Sequence, residues 1–226
     1  MSRRSIVLTR DPVASQQPNP FAPHWLIRDI VIGSHLPAVG PGGFLFLGDS
    51  IVEGFYWNRL GSLPVLNAGY SGIWTEALEL KMQHLLKAAK PRLAALLVGT
   101  NDAKAGRSES DLDAVAGQLR GLAGLAKAAN VPLLLVTPPP VEPGKRLSTF
   151  YSAETMASLS RRVIQIARDH AAGIVDMHGA FSDENGEARP GMTTDGVHLS
   201  PQAYHALYGM LERAVTLLTG TQAESK

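Results

Sequence analysis

The sequence predicts an α/β domain in which helices cover both faces of a parallel sheet. Three observations carry that prediction. From residue 43 onward, short apolar runs alternate with longer stretches of 3.6-residue periodicity. The runs are apolar throughout, as strands covered on both faces are. The 226-residue chain is 45% hydrophobic and 18% charged, enough apolar surface for a sizeable core.

The first 42 residues carry six prolines: Pro12, Pro18, Pro20, Pro23, Pro37 and Pro41. No long regular element is expected through the proline-rich part. Between them, the stretch from His24 to Ile32 is too apolar for a free linker. Residues 1–42 are therefore read as an N-terminal arm that packs its Trp25 and Ile30 side on the main domain. The alternative is a contact between subunits or a partial cover of the active site.

Residues 43–218 form the expected main domain. Its first strand is Gly43-Phe44-Leu45-Phe46-Leu47, leading into the turn Gly48-Asp49-Ser50. Further strands are expected at 65–67, 93–98, 132–137 and 174–176. Helical stripes fall on Leu112, Val115, Leu119, Leu122 and Ala126, then on Met156, Leu159, Val163 and Ile166, then on Tyr204, Leu207, Leu211, Ala214 and Leu218. Thr75 is the expected N-cap of an earlier helix, with Glu76 and Glu79 near its positive end. Ser200 followed by Pro201 is a strong start signal for the last helix. Residues 219–226 read as a polar tail.

Right-handed crossovers place every strand-to-helix loop at one edge of such a sheet. Those loops are 48–54, 68–75, 99–108 and 137–151, and loop 182–199 can return to the same edge. In open α/β sheets that edge is where ligands bind.

Several function classes are excluded or disfavoured. The chain has no cysteine, which removes disulfides, thiolate nucleophiles and cysteine-ligated metal sites. Its net charge is +1 with Lys and Arg scattered, so no nucleic-acid or anionic-membrane surface is expected. The run Ile6-Val7-Leu8 is too short for a secretory signal, and no stretch approaches the roughly 20 apolar residues of a membrane span. A cytoplasmic protein is the expectation. No Gly-x-Ser-x-Gly, P-loop, Gly-x-Gly-x-x-Gly or His-Glu-x-x-His pattern occurs.

The edge loops nevertheless contain what acyl transfer through serine needs. Ser50 is the candidate nucleophile. His198 is the candidate base, with Asp195 three residues earlier to orient it; none of the other six histidines has an acid at that spacing. Gly72 has no side chain, so its N–H can approach a ligand closely. Asn101 has an amide that donates without carrying charge. Asp49 is read as a turn-shaping residue. Two other classes stay open. Asp49, Asp102, Asp195 and His198 are hard ligands suited to a divalent-metal phosphoesterase. A non-catalytic domain holding an anion at the first helix N-terminus is the other.

The ordered set resembles the SGNH hydrolases, the GDSL-type lipase/esterase family. Gly48-Asp49-Ser50-Ile51 is similar to its first block, Asn67-Ala68-Gly69-Tyr70-Ser71-Gly72 to its second, Gly99-Thr100-Asn101-Asp102 to its third and Asp195-Gly196-Val197-His198 to its last. The likeness spans about residues 43–215. It implies a three-layer α/β/α fold with a five-stranded parallel sheet in flavodoxin-like order. It implies Ser50 as nucleophile, His198 as base and Asp195 as its orienter. The oxyanion hole would be the N–H groups of Ser50 and Gly72 with the Asn101 side chain, and no metal or organic cofactor would be needed. In one departure, Ile73-Trp74 stand where many members carry an acid after the second-block glycine.

The implied partner is a small-molecule ester. The run from Pro138 to Pro143 stiffens one wall and no long apolar lid is apparent, which favours a short acyl group such as acetyl. An ordinary imidazole titrates near about 6.5, so activity resting on a neutral imidazole is expected to rise through neutral pH.

Overall fold

A computed structural model describes residues 19–220. The arm's residues 1–18 and the tail's residues 221–226 lie outside the described residues. Helix α1 spans Ala22–Val39, so the second half of the arm is regular structure. Pro23 lies in its first turn, where a missing N–H costs nothing, and Pro37 in its last. Ile32 is buried and Trp25, Leu36 and Val39 are partly buried along the same face, whereas Ile30 points to solvent. The expected Trp25 and Ile30 side is thereby corrected: five residues are roughly 140° apart around a helix.

The remaining elements follow in chain order: β1 Phe44–Gly48, α2 Ser50–Glu53, β2 Arg59–Leu60, β3 Leu63–Gly69, α3 Glu79–Ala89 and β4 Leu93–Leu97, then α4 Glu109–Ala128, β5 Leu133–Val136, α5 Ala153–Asp169, β6 Gly173–Val175, α6 Met177–Phe181 and α7 Pro201–Gly220. The sheet order is β2-β3-β1-β4-β5-β6. Five strands are parallel and run in the flavodoxin-like order, as the resemblance implies. The sixth, β2, pairs antiparallel with β3 through two residues and escapes sequence patterning because Arg59-Leu60 is too short to show a period.

The strand β1 is buried on both faces and sorts its side chains by strict alternation. Leu45 and Leu47 join the core beneath α1, α3, α4 and α5. Phe44 and Phe46 join the opposite core beneath α6 and α7. This is the three-layer α/β/α arrangement. The stripes of α4 and α5 are buried as read from the sequence; in α7 Tyr204, Leu207 and Leu211 are buried, Ala214 and Leu218 pack partly buried against the same core, and Val215, outside the stripe, is buried as well. Helix α7 also runs past the expected boundary at 218. Among the described residues, no helix is long and apolar enough to cross a membrane.

The chain leaves β1 with β3 on one side and β4 on the other, so the C-terminal end of β1 is the topological switch point of the sheet. Gly48 ends the strand there because a Cβ would lie 1.9 Å from the Leu97 carbonyl oxygen. The next residues are Asp49 and Ser50.

Candidate active site

Ser50 opens α2, whose N-cap is Asp49; the Asp49 carboxylate accepts the Ile51 N–H at 3.0 Å. Asp49 is thus the turn-shaping residue the sequence suggested. Two neighbours hold the turn. The Asn67 amide donates to the Val52 and Phe55 carbonyls, both at 2.7 Å. The Tyr204 hydroxyl of α7 donates to the Ile51 carbonyl at 2.9 Å.

The segment before α7 closes on itself. Thr193 and Leu199 bridge, and Thr194 N–H donates to the His198 carbonyl at 2.8 Å. Ser200 accepts from the Ala203 N–H, so it caps α7 as expected. Within this turn Asp195 Oδ1 accepts the backbone N–H groups of Val197 and His198. Asp195 Oδ2 lies 2.8 Å from His198 Nδ1, and His198 Nε2 lies 2.9 Å from Ser50 Oγ. Residues 148 positions apart in sequence meet because both loops leave the same edge of the sheet.

Burial would raise the Asp195 carboxyl, but hydrogen bonds from the His198 ring and backbone and the nearby imidazole charge outweigh it and hold it below the usual carboxylate range. An ionised Asp195 takes a proton on Nδ1, leaving Nε2 as an acceptor facing the Ser50 hydroxyl.

Gly72 has φ 75°, a left-handed conformation that glycine takes at no steric cost, and the Phe21 ring occupies the space where a Cβ would be, 2.6 Å from it. Asn101 donates through Nδ2 to the Ile73 carbonyl at 2.9 Å, and its Oδ1 accepts from the Tyr151 hydroxyl at 3.4 Å. These partners fix which end of the amide carries hydrogen, and Nδ2 keeps a second hydrogen for another acceptor. Gly72 and Asn101 line the same cleft, about 860 Å³ in volume, with Phe21 and Trp74.

Thr75 does not cap its helix. It lies in helical conformation, and its N–H and hydroxyl both donate to Asp102 Oδ2 at 3.0 Å. Asp102 is therefore engaged in joining two loops, and burial raises its carboxyl. Among the described residues no three acidic or imidazole side chains gather as a metal-binding set, so Asp49, Asp102, Asp195 and His198 do not make one. Of the edge aromatics, Phe55 and Tyr70 are core residues, while Tyr56 and Phe150 are exposed.

Two supporting residues carry no sequence signal. Glu142, inside the proline run, is buried and accepts from Gly191 N–H, Thr193 N–H, the Thr193 hydroxyl and Lys145. Burial would raise its carboxyl, but these donors hold it at about 2. Glu53 accepts the Ser71 N–H at 2.6 Å and hydroxyl at 2.8 Å, so the carboxylate bracing the second block comes from α2. An acid flanked by Val141 and Pro143, or one ending a four-residue helix, looks like a solvated charge in sequence.

Residues 46–206 match the sequence model of the GDSL-like lipase/acylhydrolase family. The chain is similar to the isoamyl acetate-hydrolyzing esterase of Saccharomyces cerevisiae, with 24% identity over 202 residues that cover 76% of this chain and 85% of that protein. It is similar in fold to a GDSL-like lipase from Bacteroides thetaiotaomicron, with TM-score 0.72, 21% identity and coverage of 86% and 99% of the two chains. It is also similar in fold to an acetylxylan esterase from Geobacillus stearothermophilus, with TM-score 0.60, 24% identity and coverage of 78% and 95%.

Proposed function

The chain belongs to the GDSL-like lipase/acylhydrolase family and is an ester hydrolase, and from that premise we propose that it cleaves short-chain acyl esters, acetyl esters foremost, through a Ser50–His198–Asp195 acyl-enzyme mechanism. Family membership sets aside the non-catalytic anion binder. The observation that carries the mechanism is the continuous pair of contacts from Ser50 Oγ to His198 Nε2 to Asp195, at 2.9 and 2.8 Å.

Ser50 Oγ attacks the ester carbonyl carbon while its proton passes to His198 Nε2. The carbonyl electrons move onto oxygen, and the oxyanion is met by the N–H groups of Ser50 and Gly72 and the free hydrogen of Asn101 Nδ2. As the tetrahedral centre collapses, His198 gives its proton to the leaving alcohol. A water then attacks the acyl-Ser50 ester, again losing its proton to His198, and as the second tetrahedral centre collapses His198 returns that proton to Ser50 Oγ and the acid departs. Asp195 stays ionised and stabilises the imidazolium. Residues 43–218 carry this chemistry, with a small-molecule ester as partner.

The short-acyl reading rests on the proline-stiffened wall from Pro138 to Pro143 and on two similar proteins named for acetyl esters. It is tested with p-nitrophenyl esters of increasing chain length on wild type and Ser50→Ala. Wild-type kcat/KM is expected to fall with chain length, and Ser50→Ala to lose activity by about 10⁶-fold, as for a nucleophile acting within a triad. Full activity in Ser50→Ala overturns the mechanism, and a flat profile overturns the acyl preference.

A further inference from the structure

Helix α1 lies ahead of the family-matched segment, which begins at residue 46, yet it is fastened to the loop that carries Gly72. Arg28 Nε donates to the Gly69 carbonyl at 2.8 Å and Trp25 Nε1 to the Ser71 carbonyl at 2.9 Å. His24 Nε2 lies 3.0 Å from the Glu53 carboxylate that itself holds Ser71. The Trp25 and Trp74 rings meet at 5.1 Å between centroids. The start of the helix is set by Asn19, whose side chain accepts the Phe21 N–H at 3.0 Å. The outcome is that the Phe21 ring presses on Gly72.

We propose that Phe21 is a specificity-determining residue: with Trp74 it forms the wall of the acyl subsite and sets the length of acyl group the enzyme accepts. This rests on the acyl-enzyme reading above. At the tetrahedral centre the leaving oxygen must face His198, which protonates it, and the oxyanion must face Gly72 and Asn101. The acyl substituent takes the remaining direction. The cleft is lined by the two donors, Gly72 and Asn101, together with Phe21 and Trp74, and not by His198, so it flanks the carbonyl away from the leaving-group side. The same cleft is also lined by Lys104, Arg107 and Glu76. A short acyl group is small enough to lie against the two rings, whereas a long alkyl chain laid along the cleft is hindered by the Phe21 ring and desolvates charged lining groups.

The test compares wild type, Phe21→Ala and Phe21→Trp on p-nitrophenyl acetate and p-nitrophenyl octanoate, with Ser50→Ala in parallel and thermal melts on all four. Phe21 is 41% exposed, so neither substitution empties a core. Phe21→Ala is expected to raise the octanoate-to-acetate ratio of kcat/KM about tenfold or more, the scale of discrimination a methylene or two carries in an apolar site. Phe21→Trp is expected to lower it. An unchanged or reversed ratio in variants with wild-type melts overturns the wall. Should Phe21→Ala fail to fold, Phe21→Trp and Phe21→Leu carry the same comparison. An active Ser50→Ala would instead overturn the acyl-enzyme reading, so the two failures are told apart.

Discussion

Asp49 sits one residue before the nucleophile and is fully buried. Burial pushes its carboxyl up to about 6, against the Ile51 N–H, which favours the charged form. Its Oδ2 is buried without a hydrogen-bond partner, so the charged form lacks a donor there. The folded state therefore keeps this proton at pH values where the unfolded chain, with an ordinary Asp near 3.8, has lost it. Stability is expected to fall as pH rises from about 4 through about 6. Asp49→Asn keeps the acceptor for Ile51 and removes the ionisation. It is expected to gain up to about 3 kcal/mol over wild type above that window and little below it. Urea unfolding on both sides of the window checks this, and a pH-independent difference would refute it. A buried acid of this kind is invisible in sequence, where Gly-Asp-Ser reads only as a turn.

At the scale of elements, the histidine loop is held by a carboxylate from another loop. Glu142 N–H donates to the Gly196 carbonyl, and Leu147 N–H to the Asp195 carbonyl, so loop 137–151 is tied to the turn bearing Asp195 and His198. Glu142→Ala strips acceptors from Gly191, Thr193 and Lys145, and is expected to cost about 2–4 kcal/mol. Its carboxyl is held at about 2 when folded against 4.5 in the free residue. The stability it contributes is therefore present above about pH 4.5 and lost as pH falls toward 2. Thermal melts of wild type and Glu142→Ala should thus converge in acid; a gap that stays constant would mean the carboxylate charge is not the source. The proline run suggested a stiff wall, but patterning could not find the buried acid within it, because nothing local distinguishes it from a surface glutamate.

At the scale of the molecule, two cores share one sheet. Leu119 of α4 lies in one and Leu207 of α7 in the other, and both are buried. Each alanine substitution is expected to cost about 2–5 kcal/mol. Because the two belong to separate cores, the double variant should be additive within about 0.5 kcal/mol, with one cooperative transition whose denaturant slope is unchanged. A second transition would mean that the faces unfold independently.

The sequence by itself determined the sheet's five main strands, the helical stripes and the four loops with Ser50, Gly72, Asn101, Asp195 and His198. All of these follow from local period, turn chemistry and strand-end position, which short windows carry. Tertiary structure decided what depends on packing between distant segments. It set α1 as a helix with Trp25 inward and Ile30 outward, added β2 to the sheet edge, turned Thr75 from a cap into a partner of Asp102, and buried Asp49 and Glu142. It also laid Phe21 on Gly72. The physical reason is range: periodicity reports on a residue's neighbours along the chain, whereas burial, pKa and the wall of a cleft are set by side chains tens to hundreds of residues away.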